Sequence, residues 1–123
     1  MDAFAGGPPR ALVASIMGYE YHGFEIRQEQ IDENLVVLGK LGLQNIHYHH
    51  ADGTKMEGDL GLFDMGLTCP PYYDLEQYSD NPEDLSNLET YDKFNTAMRA
   101  CAVSYYEKLK AGTFMCIVVG PFR

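Results

Sequence analysis

Two short stretches of this sequence combine residue types that could handle a small polar ligand. The first is Asp2-Ala3-Phe4-Ala5-Gly6-Gly7-Pro8-Pro9, a Gly-rich turn opening an apolar pattern. Glu25 follows it at the end of the next β-rich run, about 20 residues further on. In nucleotide-type sites glycine lets backbone approach the ligand, and an acid at the end of the second strand accepts hydrogen bonds from ribose hydroxyls. The spacing favours an adenosine-bearing ligand. Pro8 stands where a further glycine would permit contact with a pyrophosphate, which weighs against a dinucleotide. The plain alternative is a tight turn followed by an exposed glutamate.

The second stretch is Thr68-Cys69-Pro70-Pro71-Tyr72-Tyr73, directly after the apolar run Leu62 to Thr68. Two prolines cannot extend a central ladder, so they force an exit at the strand's carboxyl edge, where open α/β sheets bind ligands. They also stiffen the backbone, so the carbonyls of Cys69 and Pro70 become fixed acceptors. Beside an aromatic face, such acceptors could hold an exocyclic amino group while the ring stacks on a planar base. The alternative is a Pro-Pro loop carrying surface tyrosines.

Other candidates are weaker. His47, His49 and His50 offer imidazoles, but no cysteine or acid lies at ligand spacing within that stretch, so it reads as a polar, partly exposed strand with no metal. Cys101, Cys116 and Met98 read as core residues.

Elements that alternate in an α/β order would position these groups. Arg10 to Met17 reads as a short helix ended by Gly18. Tyr19 to Ile26 is β-rich, and Gln28 to Leu38 is a second helix. Residues 46–57, with the turn pair Asp52-Gly53, suggest a hairpin-like or irregular stretch. Leu62 to Thr68 is a short buried strand. A long helix from Leu88 to Lys110 carries Phe94, Met98, Cys101, Ala102, Tyr105 and Leu109 on one face, and Ala111-Gly112 ends it. Thr113 to Val119 then reads as a strand buried on both faces. Strands alternating with helices imply a mainly parallel sheet with flanking helices, in one domain over residues 1–123. No strand precedes the Gly-rich turn and the chain stops just past a strand, so both ends look cut and the domain incomplete.

Composition narrows the partners. Nine basic against eighteen acidic residues give a net charge of −9, which argues against a stand-alone, salt-driven nucleic-acid binder. From Asp74 to Asp92 the chain carries Asp74, Glu76, Asp80, Glu83, Asp84, Glu89 and Asp92 with no basic residue, as a solvated loop would. No apolar run reaches the roughly 18 residues that span a bilayer, and the three cysteines form no disulfide framework. With no secretion signal visible, a reducing cytoplasm is expected.

The motifs together resemble those of amino-group DNA methyltransferases, the S-adenosylmethionine-dependent enzymes that make N6-methyladenine or N4-methylcytosine, and especially their phage-type modification methylases. The resemblance runs from Asp2-Ala3-Phe4-Ala5-Gly6-Gly7, through Gly23-Phe24-Glu25-Ile26, to Thr68-Cys69-Pro70-Pro71-Tyr72. It implies a Rossmann-like methyltransferase fold with S-adenosylmethionine as cofactor. Asp2, Phe4 and Gly6 would belong to the cofactor loop, Glu25 would bind the ribose hydroxyls, and Asp59 would lie near the adenine. Cys69, Pro70, Pro71 and Tyr72 would hold the target amine, with Tyr72 stacking on a base flipped out of DNA. No metal is needed.

Departures from the pattern shape the alternatives. Cys69 stands where Asp, Asn or Ser is usual, and a thiol is a much weaker acceptor. It also precedes proline, the reverse of the Pro-Cys order in covalent C5-cytosine enzymes. Few residues separate Asp59 from Leu62, where a helix is usual, and no target-recognition region is present. A further domain or subunit would then be needed for DNA. Two other readings stay open: a cofactor-binding, inactive remnant, and a methyltransferase for RNA, protein or a small molecule.

Overall fold

The N-terminal residues hold the molecule together. In the computed structural model, which describes residues 1–73 and 75–120, Met1 to Ala3 lie between two pairs of parallel strands. Asp74 and residues 121–123 fall outside the described residues. The elements in order are α1 (Pro9–Ile16), β1 (Tyr21–Glu25), α2 (Gln28–Gly39), β2 (Ile46–His50), β3 (Phe63–Thr68), α3 (Tyr91–Lys108) and β4 (Leu109–Ile117), with one 3-10 turn at Leu85–Asn87 before α3.

β1 pairs in parallel with β2, from Tyr21 opposite Ile46 to Glu25 opposite His50. β3 pairs in parallel with β4. The short N-terminal segment joins the two pairs. The Asp2 N–H donates to His22 O at 2.8 Å, and Phe24 N–H donates to Asp2 O at 2.8 Å. On its other side Leu67 N–H donates to Met1 O at 3.0 Å. The lateral order is therefore β2, β1, residues 1–3, β3, β4. Successive elements step outward on one side of the N-terminal segment and then cross to the other, and open α/β sheets bind ligands at such a crossing point.

Helices cover both faces. Tyr21 packs with Ala11 of α1 and Leu38 of α2, whereas Phe24, an odd number of residues away on the same strand, packs with Met56, Cys101 and Tyr105. Cys101 and Tyr105 sit four residues apart on α3, one helical turn, and both are fully buried. The Tyr105 hydroxyl accepts the Ala3 N–H at 2.8 Å, which pins α3 to the central segment. α1 begins with Pro9 at its first position, where the missing N–H is one the helix would not use.

The structure corrects four sequence expectations. β2 is a strand parallel to β1, not half of a hairpin, because the Asp52-Gly53 pair turns the chain away from the sheet instead of folding it back. α3 starts at Tyr91, where the Thr90 side chain accepts the Lys93 N–H, three residues beyond the expected start. Ala111-Gly112 does not end this helix. β4 begins directly after Lys108, and the pairing shifts between Phe63 opposite Leu109 and Met65 opposite Phe114, so Gly112 lies in a bulge. Finally, β3 and β4 are covered on one face only, so Met65 and Leu67 of the strand expected to be buried, and Cys116, expected in the core, are exposed. The Tyr105 ring lies over Gly66 on that face. Met65 and its partner Phe114 point the other way, and Phe114 is 77% exposed.

Candidate active site

The carboxyl ends of the N-terminal segment, β1 and β3 meet at one cavity of about 490 Å³. That volume suits a ligand of nucleoside size. The first loop contributes Phe4, Gly6 and Gly7, β1 contributes Glu25, and the segment after β3 contributes Cys69, Pro70, Pro71 and Tyr72. The two stretches singled out in the sequence are therefore brought together, although 64 residues separate Phe4 from Thr68, whose hydroxyl accepts the Phe4 N–H.

Glu25 is almost buried and its carboxylate is already committed in part. One oxygen accepts the Gly6 N–H at 2.9 Å and the other accepts the Arg27 N–H at 2.9 Å. The Gly6 bond depends on a backbone φ of 53°, which glycine adopts without a Cβ clash. The Arg27 guanidinium Nε also lies 3.7 Å from Oε1, so Oε2, with one bond from the protein, is the oxygen with more acceptor capacity left for a ligand hydroxyl.

Asp2 lies under the first loop, not in the cavity. It is 1% exposed and accepts from four groups: Phe4 N–H at 3.2 Å, Thr68 Oγ1 at 2.8 Å, Arg10 Nε at 2.5 Å and Tyr21 Oη at 2.9 Å. Burial, with the Asp2 charge beside it, raises the Tyr21 hydroxyl well above the usual tyrosine range, so it stays protonated and donates. Arg10 also donates to the carbonyls of Phe4 and Ala5, so Asp2 and Arg10 shape the loop from beneath.

Asp59 is exposed and stands apart from the cavity, its carboxylate accepting the Gly61 N–H at 3.4 Å. Asp52 and Gly53 occupy the corresponding wall. The signal for them was present as a turn dipeptide, but nothing local distinguished a turn at the site from any other. A Cβ at Gly53 would lie 1.7 Å from the Ala3 carbonyl oxygen, so only glycine lets this loop close against the central segment.

The acidic stretch, expected to be a solvated loop, forms another wall. Glu76, Tyr78, Glu83, Asp84 and Leu85 line the cavity, and the last two are 4% exposed. Asp84 holds the wall by accepting from the Ser79 and Ser86 hydroxyls and the Ser86 N–H. Asn87 adds bonds to the carbonyls of Ser79 and Asn81. Cys69 Sγ lies 3.9 Å from the Tyr72 hydroxyl, and that contact raises the Tyr72 hydroxyl above its usual value. The neighbouring Tyr73, at the unusual φ of 20°, packs edge-on against Tyr91 at the start of α3.

No protein-family model matches the chain, and no curated protein matches it by sequence. Solved structures do match in fold. An rRNA methylase from Streptococcus thermophilus superposes with a TM-score of 0.64 at 12% identity, over 94% of this chain and 57% of that one. A protein of Streptococcus mutans assigned as a methyltransferase, solved in complex with SAH, gives 0.65 at 12% identity, over 94% of this chain and 59% of that one. The chain has a methyltransferase-like α/β fold and spans under two thirds of the length of these two neighbours. Among the described residues no helix is long and apolar enough to cross a membrane.

Proposed function

We propose that the chain binds S-adenosylmethionine and forms the catalytic part of a methyltransferase acting on an exocyclic amino group of adenine or cytosine in DNA. One observation carries the reading. The Gly-rich loop with Glu25 and the Cys69-Pro70-Pro71-Tyr72 loop open onto the same cavity, from adjacent strand ends.

The lining suits that cofactor in charge as well as size. Glu25, Asp52, Glu76, Glu83 and Asp84 outnumber Arg10, Arg27 and Lys55, which pairs with Asp52 and Glu83, and the acidic excess favours a cationic ligand over a phosphorylated one. Bound there, S-adenosylmethionine supplies a methyl group already activated by its sulfonium charge. The protein then has to position rather than activate. Glu25 would fix the ribose, and Phe4 and Gly6 would line the methionine end. Cys69 and Pro70 would orient the amine, and Tyr72 would stack on the base. A net charge of −9 leaves phosphate contacts to a further domain or subunit.

A second reading, methyl transfer to RNA, is favoured by the likeness to a protein named as an rRNA methylase. The discriminating experiment incubates the chain with radiolabelled S-adenosylmethionine and either unmethylated DNA or ribosomal RNA, then identifies the labelled base. Label in adenine or cytosine amino groups of DNA supports the first reading, and label in RNA alone supports the second. Cofactor binding with no label in either would identify a binding remnant.

A further inference from the structure

At the opposite end of β1 from the cavity, three potential metal ligands converge. Glu20, just before β1, lies with His22 of β1 and His47 of β2, and one ligand atom from each falls within 4.8 Å of the others. Glu20 Oε1 is 3.1 Å from His47 Nε2 and 3.6 Å from His22 Nε2. Ligand atoms around a tetrahedral ion with bonds of about 2.0–2.1 Å stand roughly 3.3–3.4 Å apart; the two separations from Glu20 straddle that value, and the histidine nitrogens lie within 4.8 Å of each other.

The register makes the cluster. His22 pairs directly with His47 across the parallel ladder, so both rings share one face and stack at 4.6 Å between centroids. His22 is also oriented from behind. Its Nδ1 lies 3.1 Å from His49 Nε2, and its ring packs edge-on against Phe63 at 5.0 Å. With the proton of that contact on Nδ1, His22 Nε2, 3.6 Å from Glu20 Oε1, carries the free lone pair a metal ion needs. A second imidazole that sets the tautomer of a ligating one is a recurrent support in metal sites.

We propose that Glu20, His22 and His47 bind a zinc ion, with His49 positioning His22, and that the ion ties the start of β1 to β2. Two imidazoles and one carboxylate form a borderline ligand set suited to divalent zinc, and three protein ligands leave a fourth place for water. The site is independent of the methyltransferase reading. Five residues of strand separate Glu20 from Glu25, roughly 16 Å at the usual rise, so the ion would not reach the cavity.

The test is calorimetric titration of zinc chloride into the full chain, freed of metal. One equivalent should bind, and Glu20→Gln and His47→Asn should each weaken binding at least ten-fold. Both side chains are well exposed, at 68% and 43%, so the substitutions leave the core intact. His49→Phe should weaken binding ten-fold or more through His22 alone, and His50→Asn on the same strand should change it less than two-fold. Cobalt(II) in place of zinc should give visible bands in the wild type that Glu20→Gln abolishes. Absence of stoichiometric binding would overturn the proposal. So would affinity or a cobalt spectrum unchanged in the Glu20→Gln, His47→Asn double variant, which would place the ion elsewhere.

Discussion

Thr68 and Asp2 fasten the two site loops together. The Thr68 hydroxyl donates to Asp2 Oδ1 at 2.8 Å and accepts the Phe4 N–H at 3.2 Å, and both residues are buried. The last residue of β3 is thereby tied to the first residues of the Gly-rich loop, at the base of the two loops that line the cavity.

Thr68→Val keeps the shape but deletes the hydroxyl. Phe4 N–H keeps only a long bond to Asp2, and the Asp2 carboxylate loses one of its donors. Leaving such groups short of partners costs about 1–3 kcal/mol. Urea denaturation should show that loss for Thr68→Val and little loss for Thr68→Ser. Equal midpoints for valine and wild type would mean the contact holds nothing.

Glu25→Ala tests the cofactor assignment. A carboxylate accepting two hydroxyl hydrogen bonds contributes roughly 1.5–3 kcal/mol, so S-adenosylmethionine should bind about ten-fold or more weakly. The Gly6 and Arg27 N–H groups also lose their acceptor. Urea unfolding of the same variant separates a loosened fold from a lost ligand contact. Calorimetry giving equal affinity for both proteins would remove Glu25 from the ligand.

Much of this architecture is local in origin and therefore legible in the sequence. Proline and glycine punctuate α1, and four-residue apolar steps mark α3. A Pro-Pro pair after an apolar run marks a strand exit wherever the partner strands lie. What the sequence concealed depends on pairing between distant segments. Gly53 matters because the Ala3 backbone occupies the space of a Cβ, and Glu20 meets His47 only once β1 and β2 are in register. Asp52 and Asp59 look alike as acids after β2. Which one faces the cavity is settled by the path of residues 51–60, whose Met56 turns into the core. The bulge at Gly112 carries the same dipeptide signal as a helix end, since both use a backbone bend that glycine permits.

The three thiols should separate by reactivity. Cys101 is fully buried, and burial pushes its thiol up to about 12, whereas Cys116 is exposed and Cys69 lines the cavity. Alkylation at pH 8 should label Cys69 and Cys116 in the folded protein and Cys101 only after unfolding. Above the ordinary thiol range the unfolded chain ionises Cys101 and the folded one does not. That part of the stability is present below about pH 9 and is lost as pH rises towards 12. S-adenosylmethionine should slow labelling of Cys69 and leave Cys116 unchanged. Protection at neither cysteine would put the cofactor somewhere else.

Tyr72 and Cys69 should fail in different ways, and the difference separates an enzyme from a remnant. Tyr72 lines the cavity with its ring near the Gly120 backbone, and its hydroxyl meets Cys69 Sγ. A stacking face is worth about 1–3 kcal/mol per base, so Tyr72→Ala should cut methyl transfer roughly ten-fold or more. Cofactor affinity should stay intact, because the ribose and methionine contacts come from the other loop. Cys69 is a weak acceptor for an amine hydrogen, and Cys69→Ser or Cys69→Asp would supply an oxygen at the same place. If the thiol limits catalysis, those variants transfer methyl groups faster than the wild type. An inactive wild type rescued by Cys69→Asp would locate the lesion at that one atom. Equal rates for wild type, Tyr72→Ala and Cys69→Asp, all measurable, would reduce the Pro-Pro-Tyr loop to a turn at a strand end and move the amine site elsewhere along the cavity wall.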